Sequence, residues 1–243
     1  NTANVLTHYA TVVIMDYQQR FTHDRKLPYT INTEVRMLYN PQLKGAYSMV
    51  PGVMAMVLML VCTMMTAITI VKEKEMGTME AMLVSPLQPL KIIIAKAVPY
   101  LLLSVVNIAS ILLLSVFVLE VPINGSLSLL VLESVLFTLT CLAFGLLIST
   151  STDSQQTAMF ISLTGMFLPT VMLSGFMFPV ENMPLALRAI SNAVPAKWYY
   201  SIVNAVMIKG AGIGEVWKET LVLTGFLVFL LLLSIKKFKI RLA

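Results

Sequence analysis

The densest run of chemically capable side chains is Lys72-Glu73-Lys74-Glu75-Met76-Gly77-Thr78-Met79-Glu80-Ala81-Met82-Leu83-Val84-Ser85-Pro86. Ammonium and carboxylate groups alternate over its first four residues, a pattern that can pair with helix ends or with charges on a partner. Gly77 then breaks the pattern. Thr78 can cap a new helix by accepting a backbone N–H bond, and Pro86 stops it. Met76, Met79 and Leu83 fall on one face of that helix, with Glu73 and Glu80 on another side. A short amphipathic helix of this kind suits docking into a groove on a partner. A solvated turn beside a membrane is the plain alternative, and the residues alone do not choose between them.

Glu133 is the other conspicuous group, a single charge inside the apolar run Leu127–Ser149. At a bilayer centre it would cost roughly 2.5–3.5 kcal/mol. It stands about two turns from the run's end, so it either contacts a cavity or interface or reaches towards the headgroups. Catalytic chemistry has no foothold. There is no Gly-x-x-x-x-Gly-Lys-Ser/Thr phosphate loop, no His-Glu-x-x-His pair and no Gly-x-Ser-x-Gly elbow. His8 and His23 both lie near the start of the chain, and Cys62 and Cys141 sit inside apolar runs without metal or disulfide spacing. No catalytic residue, no metal site and no cofactor are expected on this chain.

The elements that must position these groups are read from composition. Of 243 residues, 58% are hydrophobic and 12% charged, and the mean hydropathy is +0.84. A water-soluble fold could not hide so many apolar side chains, so lipid is the solvent. The net charge of +5 does not point to nucleic acid, because the basic residues flank apolar runs instead of forming one patch. Four runs approach the roughly 20 residues that cross hydrocarbon: about 50–71, 97–119, 127–149 and 157–179. A fifth, 214–235, becomes long enough if Lys218 and Glu219 reach the headgroups. The fold class is an all-α polytopic membrane protein.

Orientation follows from Lys and Arg. Loop 72–96, loop 149–156 and tail 236–243 share one side and hold eight basic residues in 41 positions, against nine in 95 on the other. The denser side is the cytoplasmic one, which makes the C-terminus cytoplasmic. Residues 1–49 are then the C-terminal part of an extracytoplasmic domain, with helical spacing over Val5–Phe21 and a strand over Tyr29–Met37. The chain opens on Asn1 without Met, so a first helix is expected to precede it, giving six spans. Segment 180–210 contains two short apolar-faced helices around Pro195, bounded by Pro184 and carrying Trp198 and Tyr199 at the turn. It reads as a re-entrant hairpin, with a surface-lying loop as the alternative. Pro51, Pro99 and Pro169 lie in or beside spans, and Gly145 and Ser149 could allow close helix approach.

The Lys72–Pro86 block resembles the cytoplasmic stretch of ABC-2 type transporter permeases, where a helix ends in charges followed by Gly-Thr and an acidic residue. Arg36-Met37-Leu38-Tyr39-Asn40-Pro41 and Val50-Pro51-Gly52 are similar to the start of the second helix in the drug-export branch. Lys96-Ala97-Val98-Pro99-Tyr100, Val121-Pro122-Ile123-Asn124-Gly125-Ser126, Ser174-Gly175-Phe176-Met177-Phe178-Pro179 and Pro195-Ala196-Lys197-Trp198-Tyr199 follow in the family's order. The resemblance implies a permease subunit of an ABC exporter in the bacterial inner membrane. It implies a second permease copy or homologous permease, and a cytoplasmic ATP-binding subunit that holds the ATP and Mg. By the same resemblance Glu73, Glu75, Gly77, Thr78 and Glu80 couple that subunit to the membrane helices, and the Pro184–Met207 hairpin is the outer gate region. A secondary transporter, or a membrane scaffold without an ATPase partner, are the competing readings. The former usually shows repeated halves with midplane charges, which are not found here.

Overall fold

The computed structural model describes residues 2–22, 39–40, 44–78 and 89–240. Residues 1–47 and 48–243 are two separate compact units. In the first, α1 (Thr2–Thr22) is a helix with an Asp16–Arg20 ion pair one turn apart, at 3.0 Å. Its helical spacing was legible. The expected strand Tyr29–Met37 lies outside the described residues, and no strand occurs among those that are described.

The second unit is helical: α2 (Ala46–Glu75), whose first two residues belong to the first unit, α3 (Pro89–Phe117), α4 (Leu127–Ser151), α5 (Gln155–Ser162), α6 (Leu168–Leu173), α7 (Leu185–Ser191), α8 (Pro195–Val203) and α9 (Ile213–Ile240). Five helical stretches are long and apolar enough to cross a membrane: Ala46–Glu75, Ala97–Phe117, Leu127–Ser151, Gln155–Leu173 and Ile213–Lys237. The fourth span departs most from expectation. Pro169 has no N–H to donate one turn back, and the backbone answers with a π turn at Leu163–Phe167. The helix then stops at Leu173, and Gly175 adopts φ +91, so residues 174–179 are not part of the span.

The central helix is α4, which packs along α9, α3 and α8. Small and hydroxyl residues let α2 approach it closely. Thr63 Oγ1 donates to the Cys141 carbonyl at 3.1 Å, and a Cβ on Gly145 would stand 2.6 Å from the Thr63 carbonyl oxygen. Ala67 and Val71 of α2 continue this seam against Ile148 and Ala158. On its other side α2 meets α3 through a Cys62–Ser104 contact of 3.0 Å and a Thr69–Tyr100 hydroxyl pair.

Candidate functional site

A 30-residue helix is about 45 Å long, well beyond the roughly 30 Å of hydrocarbon, so the last turn of α2 emerges into water. That turn grips its neighbours. Lys74 Nζ donates to the carbonyl oxygens of Ser149 and, at 3.2 Å, Thr152. These are the free carbonyls at the C-terminal end of α4, where a cation meets the negative end of the helix dipole. The next residue does the converse. Glu75 accepts the backbone N–H of Gln155 at 2.7 Å and the Gln155 side-chain amide. Gln155 opens α5, so a carboxylate caps the positive end of that helix. The Gln155 backbone N–H first, and its side chain second, hold the Glu75 carboxyl below its ordinary value. Lys237 near the end of α9 reaches the same turn, donating to Ser151 Oγ at 3.2 Å.

Beyond Glu75 the chain turns. The Met76 N–H donates to the Lys72 carbonyl at 3.0 Å and the Gly77 N–H to the Lys74 carbonyl at 3.2 Å. Gly77 sits at φ +70, the left-handed end of a helix that glycine permits. Thr78 uses its hydroxyl backwards, donating to the Glu73 carbonyl at 3.2 Å and closing the last turn of α2. Met76 is exposed. Met79, Glu80 and Leu83, and with them the helix that Thr78 was expected to start, lie outside the described residues.

Glu133 is fully enclosed within the chain, between α4 and α9. One carboxylate oxygen accepts from Thr220 Oγ1 at 2.7 Å, and the other has no protein partner. One residue on, Ser134 meets the Tyr199 hydroxyl at 2.7 Å, and the Tyr199 ring stacks on Phe137 with centroids 4.2 Å apart. The hairpin is therefore pinned from beneath. Pro195 starts α8, which buries Tyr199, Ile202 and Val203. Trp198 Nε1 donates to the Asn192 carbonyl at 3.0 Å, closing the turn between α7 and α8. Pro184 precedes α7, whose Leu185 and Ile190 remain exposed.

Distant motif segments converge at this end. Asn124 Nδ2 donates to the Ile208 carbonyl at 2.8 Å, and the Asn124 N–H to the Met207 carbonyl at 3.0 Å. A Cβ on Gly125 would stand 2.3 Å from the Val206 carbonyl oxygen. Gly52 makes room for the Phe176 ring, which a Cβ there would meet at 1.9 Å. Sequence segments read separately thus form one packed cap over the helix ends.

A family model described as ABC-2 family transporter protein matches residues 2–236. The chain belongs to the ABC-2 transporter family. It is 32% identical over 219 residues to the probable multidrug ABC transporter permease YbhR of Escherichia coli K12, covering 90% of this chain and 59% of that one. It is 32% identical over 212 residues to the probable multidrug ABC transporter permease YbhS of the same organism, covering 86% and 56%. ABC transporter G family member 20 of Dictyostelium discoideum is 27% identical over 198 residues, covering 81% and 27%. The ABC-2 chain thus spans somewhat over half the length of the bacterial relatives it matches. No solved structure matches it.

Sequence reasoning placed Glu73 and Glu75 in one functional stretch of this ABC-2 chain but missed the groups that Lys74 and Glu75 hold. Gln155 is a neutral residue in a polar loop 80 positions away. The available signal was the helix boundary itself. Ser154 and Gln155 follow the end of a span, and a new helix there must have its first N–H groups satisfied by something.

Proposed function

We propose that this chain is the membrane-spanning permease part of an ABC exporter, driven by ATP hydrolysed on a separate cytoplasmic subunit. The observation that supports this most is the double grip at the end of α2. Lys74 and Glu75 hold both sides of the α4–α5 turn, and Lys237 ties α9 to it. A displacement applied just after Glu75 would reach four helices at once. Met76 is exposed at the turn after α2, but Gly77 at φ +70 ends the helix there, so Met76 does not continue the expected apolar stripe. The adaptable apolar knob for a groove on that subunit is then assigned to Met79 and Leu83 from their spacing in the sequence. The Glu73 and Glu80 carboxylates supply charge for basic residues of that subunit, while the Glu75 carboxylate is engaged by Gln155.

The same reading puts the chain in a bacterial inner membrane as a multi-pass protein, beside a second permease copy or a homologous one. The C-terminus with Lys236 and Lys237 is cytoplasmic, and the hairpin bounded by Pro184 and Pro195 is the outer gate region. Three spans bury little of themselves within the chain, which leaves apolar faces for lipid or a second copy. ATP and Mg belong to the partner.

The test is co-expression with the ATP-binding subunit. Met79→Asp should leave membrane insertion intact and cost about 1–3 kcal/mol of docking, enough for a tenfold or larger loss of association. Co-purification and substrate-stimulated ATPase activity read this out. If Met79→Asp retains both at the parent level, the segment is a solvated turn and the coupling assignment fails.

A further inference from the structure

We propose that the hairpin holds an anionic phospholipid, with its phosphate among Arg188, Lys197 and Lys209 and an acyl chain in the apolar cleft beside Pro179. Two adjoining cavities carry the inference. The first, of about 470 Å³, is lined by Ser174, Arg188, Lys197, Tyr200, Asn204 and Lys209, with Glu181 the one carboxylate on its wall. Three cationic side chains against one carboxylate leave the cavity with a surplus of positive charge. Partial burial, and after it the neighbouring Arg188 guanidinium, draw the Lys197 ammonium below its ordinary value, while Glu181 acts the other way. Lys197 is held in place by the Asn192 side chain and by the Trp198 ring, 5.2 Å from its centroid. A bound anion would relieve the repulsion between these like charges.

The second cavity, of about 520 Å³, shares Pro179 with the first and is lined by apolar groups including Leu168, Met172, Phe178 and Leu187. All four remain well exposed. Leu168 and Met172 belong to α6, so this cleft descends along the span for about 9 Å, from the level of Ser174 towards the membrane interior. Charge lies at the helix end and apolar surface runs down the span from it. That is the shape of a phospholipid standing in its own leaflet, and neither a small free anion nor a neutral hydrophobe uses both halves.

The experiment uses the whole permease in detergent, stripped of lipid and titrated with dioleoyl phosphatidylglycerol or dioleoyl phosphatidylcholine, with retained lipid counted by native mass spectrometry. Phosphatidylglycerol should be retained about tenfold more tightly than phosphatidylcholine. Arg188→Gln with Lys197→Gln should remove that preference, while Arg188→Lys with Lys197→Arg should keep it, which separates charge from misfolding. Met172→Asp should weaken both lipids. Equal retention of the two lipids, no effect of the Gln pair, or full displacement by inorganic phosphate at matched concentration would each overturn the proposal. So would efficient disulfide cross-linking of Leu187→Cys between two copies, because a second chain would then cover the cleft, and so would release of the lipid on ATP turnover, because it would then be cargo. The inference requires a membrane span and not transport, so its failure leaves the permease reading untouched.

Discussion

A carboxyl group enclosed in a membrane helix bundle needs a hydrogen-bond partner in place of the water it has lost. For Glu133 that partner is the Thr220 hydroxyl, which joins α4 to α9 at the depth where Ser134 and Tyr199 join α4 to α8. Thr220→Val keeps the shape and removes the donor. It should destabilise the chain by about 1–3 kcal/mol, because the buried acceptor is then left unsatisfied. Thr220→Ser should recover most of the loss, and thermal unfolding in detergent reads both. Equal stability of Thr220→Val and the parent would mean that Glu133 finds another donor. Glu133→Gln keeps an acceptor for Thr220 and removes the charge, so insertion and stability should stay near the parent. Altered transport with intact folding would then assign the charge a working role. The sequence could mark Glu133 as unusual because charges are rare in such a run. Its enclosure could not be read, since that depends on Thr220, a residue 87 positions away whose own run reads as an ordinary apolar helix.

Between elements, two kinds of contact set the arrangement: close backbone approach and capped helix ends. Gly145→Ala puts a methyl group 2.6 Å from the Thr63 carbonyl oxygen and 2.7 Å from Thr66 Cβ. Backbone cannot rotate away as a side chain can, so α2 and α4 must separate, at about 1–3 kcal/mol. Unfolding measurements on Gly145→Ala check this, and a neutral result would show that the seam is slack. The spacing of Gly145 and Ser149 hinted at a close contact but did not name α2 as the neighbour. At the charged end, Glu75→Ala removes the acceptor for the Gln155 N–H, so hydrogen exchange at the start of α5 should accelerate while the spans stay protected. Because the folded Glu75 value is lowered from 4.5, its contribution is fully present above about pH 4.5 and is lost as pH falls through the lower folded value. Gln155 exchange should rise with that titration after correction for intrinsic rates. The five spans were legible because twenty apolar residues have few other uses. The early stop at Leu173 was not, because Ser174–Pro179 is apolar enough to continue the run, and only the turn at Gly175 ends it.

For the molecule in its membrane, the proposed orientation rests on the charge asymmetry, which favours the cytoplasm for the α4–α5 turn and the α9 tail. The structure gathers Lys74 and Lys237 at that turn, so residues counted along the chain as separate loops contribute to one basic edge. The opposite end holds Asn124, Gly125 and the hairpin. Positions for a labelling test follow from exposure. Gln156 is exposed beside the turn, whereas Ser154 is half-buried, and Ser126 is exposed at the other end. The native Cys62 and Cys141 are buried and should contribute little background. In intact cells, an impermeant thiol reagent added outside should label Ser126→Cys and leave Gln156→Cys unlabelled until the membrane is opened. Ser126 caps α4 by accepting the Leu129 N–H at 3.4 Å, so its replacement should cost about 1 kcal/mol without inverting the topology. Labelling of Gln156→Cys but not Ser126→Cys in intact cells would reverse the orientation. The end of α2 would then be outside, no cytoplasmic ATPase could push on it, and the coupling mechanism would fall with the topology.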